Sequence, residues 1–518
     1  MTPLSSLFRT PAEVPAEFSW SPATDASIFS PIQLKVEGKL KAVPLGSIPN
    51  MTAREGLEIL EKGVNAYNHG RGPWADASYK DRIKAVLAFA SDLEAIEKQV
   101  ALAIMWEIAK PWNDSLAEVR RTVDYIRETC EAYEAACKGE NNGIVEKGFF
   151  AQTRRVPLGM VLCMGPFNYP LNETYTTLIP ALLAGNSVLL KPAKWGVLLH
   201  LPILPLFKKH FPAGTVGMLF GDGKELVTPI MISGHIDALA FIGSSGVANA
   251  ICSNHPKPNR MRSILGLEAK NAAIICADAD IEAAVEEVVQ GALTFNGQRC
   301  TALKMILPHK SIAAKFKERL AEKVDALKLG MPWEPGVQIT PVAEPNKVAA
   351  LEALKADAVA NGAKWLNPFA EFALGNLYRP AILDHVSDKA KLSQVEQFGP
   401  IIPIREFSDI REPLTYVENS QYGQQASVFG NGREAAFLVD SLTKLVARVN
   451  INTQCRRGPD TFAFGGRKDS AAGTLSVRDA LRCFSIRSVV SFKCKSSGQE
   501  NGQIDQLVKA GNKFLSNI

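Results

Sequence analysis

Met160-Val161-Leu162-Cys163-Met164-Gly165-Pro166-Phe167-Asn168-Tyr169-Pro170 reads as a short apolar strand running straight into a loop. Similar apolar runs recur at 187–190, 216–220 and 238–242, with helical stretches between them. Strands alternating with helices imply crossover units and a parallel sheet, the architecture that binds dinucleotides at strand C-termini. Upstream, apolar residues at three-to-four spacing predict helices over 54–68, 79–100 and 115–137. Downstream, strands are expected at 304–307, 401–405, 426–429 and 447–451, so a second α/β unit follows the first. No internal repeat is found. The fold class is α/β.

Composition narrows the possibilities. A chain of 518 residues is too long for one small core and suggests two or three domains. With 46% hydrophobic and 21% charged residues it reads as soluble and globular. A net charge of +5 without a basic run does not suit a nucleic-acid partner. Nine cysteines without a CxxC pair argue against a disulfide framework and a zinc site, and for a reducing compartment. The first twenty residues lack an apolar signal core, and Glu13 and Glu17 weaken a transit-peptide reading. The most apolar region, 195–207, is interrupted by His200, Pro202 and Pro205, so no membrane span is expected.

Three successive strand ends carry polar or glycine-rich caps: Asn168 after the first, Lys191-Pro192-Ala193-Lys194 after the second, and Gly243-Ser244-Ser245-Gly246 after Phe241-Ile242. Glycine lets backbone N–H groups approach a pyrophosphate, and a helix start favours anions, so together they predict a dinucleotide crevice. Gly221-Asp222-Gly223 lacks the third glycine of the formal fingerprint. In Phe295-Asn296-Gly297-Gln298-Arg299-Cys300-Thr301, Cys300 stands as a candidate nucleophile, since a thiolate can attack a carbonyl and hold an acyl group.

These motifs, with Glu396-Gln397-Phe398-Gly399-Pro400 and Phe462-Ala463-Phe464-Gly465-Gly466, occur in the order of the aldehyde dehydrogenase superfamily, which the chain resembles from about Ala53 to Lys493. The resemblance implies a Rossmann-like cofactor domain over 1–137 and 156–267, a catalytic domain over 268–476, and a small β oligomerisation arm over 138–155 and 477–494. Residues 495–518, rich in Ser, Gly, Asn, Gln and Lys, are expected to form a loose tail. It assigns Cys300 as nucleophile and Asn168, with the Cys300 N–H, as oxyanion donor. Lys191 would hold the adenine ribose, Glu396 the nicotinamide ribose, and Phe398 the ring, with Gly243 and Ser244 at the crevice. NAD-preferring relatives carry glutamate at the position of Lys194; a lysine reverses the sign, so NADP is expected. Homo-oligomers, dimer or tetramer, would form through 147–155 and 485–492, with Ile486, Val490 and Phe492 on one strand face.

One position departs from the pattern. The family's Glu-Leu-Gly-Gly-Lys appears as Gly266-Leu267-Glu268-Ala269-Lys270, which removes the usual base for the deacylating water. Glu268 lies two residues on, about 6.6 Å away in an extended segment, and is read as structural. Slower water-assisted hydrolysis, transfer to coenzyme A, and loss of activity compete, with hydrolysis preferred. Arg121, Tyr169, Arg299 and Arg457 cluster where a substrate tail would lie, and guanidiniums pair bidentately with carboxylate or phosphate. Two branches fit. The missing glutamate, Lys194 and the arginine pair are closer to the family 21 enzymes of lower plants, cytosolic NADP-dependent succinic semialdehyde dehydrogenases of the γ-aminobutyrate shunt. The second is non-phosphorylating oxidation of glyceraldehyde 3-phosphate. An inactive cofactor-binding scaffold is the alternative outside catalysis.

Overall fold

The computed structural model describes residues 3–19, 27–140, 143–367, 372–494 and 503–516. At its centre, strand Met160–Met164 is flanked by Ser187–Lys191 on one side and Ala238–Ile242 on the other, all parallel. Val216–Met218 and Arg262–Gly266 extend the sheet in parallel, and the short antiparallel Ala471–Ala472 closes one edge. Side chains alternate across the central strand, as the pleat requires. Val161 and Cys163 join a core with Leu178, Ile179 and Leu182 of helix Asn172–Leu183, while Met160 and Leu162 pack with Leu226, Ile230 and Ile251 on the opposite face. Both faces are covered, which is why the strand is apolar without alternation.

The chain winds from the centre to Val216–Met218, then returns to pair Ala238–Ile242 against its starting strand. The order therefore reverses between these two strands, and loops 165–171 and 243–244 part there to leave a crevice. A second sheet runs Met305–Pro308, Ala272–Ile275, Gln425–Phe429, Arg448–Ile451, all parallel. Residues 267–271 carry the chain from one sheet to the other, and Cys300 approaches the strand Met305–Pro308 that pairs with Ala272–Ile275.

Three expectations are corrected, and one element was not foreseen. The helix expected over 79–100 is two, Tyr79–Ala95 and Glu97–Ile108, because Ile96 leaves helical dihedrals (φ −106°, ψ 17°) while the apolar pattern continues across the break. The helix expected over 115–137 extends to Trp112–Glu140. An antiparallel hairpin, Ile28–Val36 with Lys39–Gly46, precedes the helices and turns through Glu37 and Gly38, both at positive φ. Of the tail expected to be loose, 495–502 and 517–518 lie outside the described residues; within 503–516, Gln503–Lys509 is helical, Leu515 is buried, and Arg154 donates to the carbonyls of Lys513 and Ser516. A polar composition hid those few anchoring contacts.

Strand Ser485–Lys493 pairs with Phe149–Pro157, which also pairs with Ile144–Glu146. Phe150 stacks on Phe492 at 5.0 Å, while Ile144, Phe149, Ile486 and Val489 remain exposed. A strand with this much outward apolar surface invites pairing. Among the described residues no helix is long and apolar enough to cross a membrane.

His200 is fully buried, stacked on Tyr175, with neither ring nitrogen hydrogen-bonded among the described residues. Burial pushes its pKa from 6.5 to about 3. The unfolded chain binds a proton below its ordinary pKa that the folded chain refuses, so stability is complete above that pKa and is lost as pH falls toward the folded value. Between about pH 7.5 and about pH 5 the wild type should lose about 2 kcal/mol that His200→Phe keeps. Parallel melting curves of the two proteins check this; equal acid slopes would count against it.

Candidate active site

Cys300 follows three consecutive residues in the left-handed region, Phe295, Asn296 and Gly297, at φ 49°, 56° and 69°. At Gly297 an added Cβ would lie 2.6 Å from the Ala292 carbonyl oxygen and 2.8 Å from that of Gly399, so the turn admits only glycine. The buried Asn296 holds the bend by accepting the Thr340 N–H at 3.0 Å. Left-handed backbone at non-glycine residues costs of order 1–3 kcal/mol each and persists where surroundings over-determine it, commonly at functional sites. From below, Lys304 Nζ donates to the Cys300 carbonyl at 2.6 Å and pairs with Glu396 at 2.8 Å. Asn271 Nδ2 donates to the same carbonyl at 2.8 Å and to that of Ala302 at 3.1 Å. Burial pushes the Cys300 thiol above its ordinary pKa. Lys304 opposes this, Glu396 adds to it, and the charge of Arg299 opposes it again.

Asn168 is buried and gives Nδ2 to the Gln298 carbonyl at 2.8 Å, which puts its amide beside the nucleophile's own loop. Its position depends on a buried ion pair. Lys110 Nζ contacts Glu118 at 2.5 Å, donates to the Asn168 carbonyl at 2.8 Å and lies 3.5 Å above the Tyr169 ring. Glu118 accepts the N–H groups of Leu171 and Asn172 at 3.0 and 3.1 Å, capping helix Asn172–Leu183. Neither Lys110 nor Glu118 was foreseen; the only signal was a charged residue next to a buried apolar helix end.

At the crevice, Lys191 is buried with Nζ on the Pro192 carbonyl at 2.9 Å, and Lys194 is exposed beside Trp195. Burial lowers the Lys191 ammonium pKa, with Asp222 opposing. Ser244 caps helix Ser245–Ser253. At Gly243 a Cβ would come within 2.4 Å of the Phe241 ring, so the backbone here must stay bare. Phe398 meets Phe167 edge-on at 5.8 Å. Glu396, besides Lys304, accepts the Ala269 N–H at 3.1 Å.

At the opposite end the arginine pair is brought together, but on a carboxylate of the chain itself. Arg121 forks onto Asp460 at 2.9 and 2.7 Å. Arg457 is buried, pairs with Glu173, and reaches Asp460 at 3.4 Å. Burial alone would raise the Asp460 carboxyl, yet Arg121 and Arg457 outweigh it and hold it below its ordinary range. Two arginines were expected to converge on a substrate anion; here they converge on carboxylates of the chain, because a buried arginine needs a counter-charge and Glu173 and Asp460 supply it. Arg121 keeps Nη1 unengaged among the described residues. Arg299 gives Nη2 to the carbonyls of Gln290 and Gly291 and to Gln454.

Gly266 ends strand Arg262–Gly266 with no side chain to offer. Glu268 accepts the Ser245 N–H at 2.8 Å. All of the residues assigned above to catalysis, cofactor and substrate line one cavity of about 1440 Å³, as do Gly266, Glu268, Glu173 and Arg456. Among the described residues no group of three or more His, Cys, Asp or Glu is placed to hold a metal ion.

A cysteine on a strained turn, an amide facing it and a cofactor crevice opening into the same cavity define an enzyme site of one architecture. The sequence pattern of the aldehyde dehydrogenase family matches residues 33–490, and the chain belongs to that family. The NADP-dependent glyceraldehyde-3-phosphate dehydrogenase of Streptococcus equinus is 33% identical over 471 residues, 89% of this chain and 94% of its own. The alpha-ketoglutaric semialdehyde dehydrogenase of Bacillus subtilis (strain 168) is 28% identical over 455 residues, 85% and 90% of the two chains. Among solved structures, the NADP-dependent glyceraldehyde-3-phosphate dehydrogenase from Bacillus halodurans C-125, complexed with NADP, superposes with a TM-score of 0.82 at 29% identity, covering 92% of this chain and 98% of that one.

Removing one member of a buried ion pair strands the other, at a cost of about 3–5 kcal/mol. Lys110→Met should therefore lose that much stability, and Lys110→Met/Glu118→Gln should regain at least half, because the cap on helix Asn172–Leu183 survives without the charge. Urea unfolding of both variants decides; a single variant within about 1 kcal/mol of wild type contradicts the pair's role.

Proposed function

We propose that the protein oxidises a short aldehyde with a carboxylate tail, succinic semialdehyde first, to the corresponding acid, with NADP as cofactor. The charge balance at the tail end of the cavity carries this reading. Arg121 and Arg457 are matched by Asp460 and Glu173, and Lys110 by Glu118. Arg456 has Glu287 at 3.8 Å. Arg299 instead gives Nη2 to carbonyl and amide oxygens and keeps its buried Nε without a hydrogen-bond partner among the described residues. Burial moves the nearby Asp114 toward its neutral form, against the pull of Lys110 and Arg299. One uncompensated cation suits a monoanion; a phosphate dianion would leave a charge unpaired, which is costly away from water.

The residues fit the cofactor: Gly243 is bare where backbone must approach closely, and Lys191 and Lys194 stand at the strand end with no acidic side chain at 194 to repel a 2′-phosphate. NADP, when bound, accepts the hydride. Lys191 and Lys194 would hold its adenosine end, Gly243 and Ser244 its middle, Glu396 the nicotinamide ribose, and Phe398 the ring. Cys300 adds its sulfur to the aldehyde carbon, and Asn168 with the Cys300 N–H stabilises the oxyanion, each donor contributing about 3 kcal/mol. After hydride loss the acyl group stays on Cys300 as a thioester, which water hydrolyses without a carboxylate at 266. Arg121, through its remaining donors, and Arg299 hold the tail beside Tyr169 and Arg457. The exposed apolar strands of the arm would pair between copies as a dimer or tetramer.

The second reading is glyceraldehyde 3-phosphate, favoured by the extent of the Streptococcus equinus similarity. NADPH formation with each aldehyde, against Cys300→Ala as blank, separates them: the semialdehyde should win by at least about tenfold in kcat/KM. Preference for the phosphate would overturn the charge argument. Lys194→Glu should shift cofactor preference toward NAD by about tenfold or more, since it replaces an attraction to the 2′-phosphate by a repulsion.

A Cβ at Gly266 would meet Ile242 and Leu475 at ordinary distances of 3.4–3.8 Å, so Gly266→Glu can fold. It should raise steady-state turnover by about tenfold if deacylation limits the wild type, general-base catalysis being worth at least that. A pre-steady-state NADPH burst in the wild type that disappears in the variant is the expected signature, and an unchanged burst the contrary one.

A further inference from the structure

A second cavity, of about 1150 Å³, lies among helices Tyr79–Ala95, Trp112–Glu140 and Val477–Cys483, strand Phe149–Pro157 and residues 513–516, and shares no lining residue with the catalytic cavity. Its charges do not balance. Arg82, Arg154, Arg155, Arg478, Arg482 and Lys513 line it, and the carboxylates facing them among the described residues are Asp76 and Asp81. Asp76 is taken by Lys513 at 2.5 Å, and Asp81 accepts the Ser78 hydroxyl at 2.7 Å. Arg482 has Asp479 at 3.5 Å. Arg82, Arg154 and Arg478 are left without a carboxylate partner among the described residues.

Arg82 is the fixed member of this set. It is 7% exposed, its Nη1 donates to the carbonyls of Ala75 and Ala77 at 3.3 and 2.8 Å, and its Nη2 donates to the Tyr133 hydroxyl at 2.7 Å. Its Nε has no hydrogen-bond partner among the described residues. Every acceptor it meets is neutral, whereas the equally buried Arg457 meets two carboxylates. A buried cation without a counter-charge is costly, and an unsatisfied buried donor calls for an explanation. Arg154 repeats the pattern: it donates to the carbonyls of Lys513 and Ser516, and its buried Nε has no partner among the described residues.

We propose that this cavity binds a phosphate dianion, either inorganic phosphate or the ester of a small molecule, with Arg82 supplying the fixed buried charge and Arg154 and Arg478 donating to its oxygens. Two buried uncompensated guanidiniums match two negative charges, and a single carboxylate would leave one of them unpaired. A guanidinium fork fits two phosphate oxygens at once. The cavity has room for more than one phosphate, and Tyr79 and Phe514 wall the space that an ester's organic part would fill.

The test is isothermal titration calorimetry on the full-length protein with NADP saturating, so that the cofactor crevice is occupied. Inorganic phosphate and glycerol 1-phosphate are titrated in parallel, against sodium chloride at equal ionic strength. Phosphate should bind where chloride gives no saturable heat, and Arg82→Gln should weaken it at least about tenfold, the loss of one charged donor. Arg82 also holds two carbonyls, so Arg154→Gln/Arg478→Gln carries the test if Arg82→Gln does not fold, with a loss at least as large. Arg120→Gln, on the surface pair with Glu97, should leave the affinity unchanged. Tighter binding of glycerol 1-phosphate would assign the site to a phosphate ester, and equal or weaker binding to inorganic phosphate. Heats no different from chloride, or an affinity that the arginine variants leave unmoved, would overturn the proposal. No aldehyde is used, so the result stands apart from the substrate assignment.

Discussion

The buried contact between Lys110 and Glu118 is the constraint on which the tail end of the cavity depends. Taking two charges out of water is expensive, and the cost is met only when every remaining donor and acceptor finds a partner. Here each does. Lys110 also serves the Asn168 carbonyl and the Tyr169 ring, and Glu118 also serves two N–H groups at the start of helix Asn172–Leu183. The helix so anchored carries Glu173 to Arg457, and Arg457 with Arg121 converges on Asp460. A line of alternating charges thus runs from Asn168 to Asp460 along one end of the cavity.

Around the nucleophile the arrangement follows from where the two sheets meet. The connector 267–271 is short, so the end of Arg262–Gly266 and the start of Ala272–Ile275 are held close to the turn that carries Cys300. Asn271 and Lys304 grip that turn by its carbonyl, and Gln397 fixes Lys270 at 2.7 Å and the Lys304 carbonyl at 3.2 Å. The clamp acts on backbone and leaves the sulfur to be tuned by neighbours. With no side chain at 266 the tuning falls to Lys304 and Arg299 against Glu396.

Much of this was legible beforehand. Strands Met160–Met164 and Ala238–Ile242 were expected at their observed bounds, because a strand covered on both faces leaves an unbroken apolar run. The aldehyde dehydrogenase resemblance was readable from six motifs in order, and the residues it named line one cavity. The break at Ile96 was not legible, since a helix buried nearly all round keeps its apolar pattern through a change of axis. Nor was the pairing of Arg121 and Arg457 with Asp460 and Glu173, because Asp460 lies 339 residues from Arg121 and Glu173 lies 284 from Arg457.

Local chemistry determined what the sequence could announce by itself. Apolar period decides strand or helix, a glycine announces a bare backbone, and a lysine in place of a glutamate announces a reversed charge, all within a few residues of chain. Tertiary structure decided which charges remain available to a ligand. A guanidinium in sequence is a cation in any surroundings, but once buried it must be paired, and only the fold determines whether its partner is the substrate or another part of the same chain.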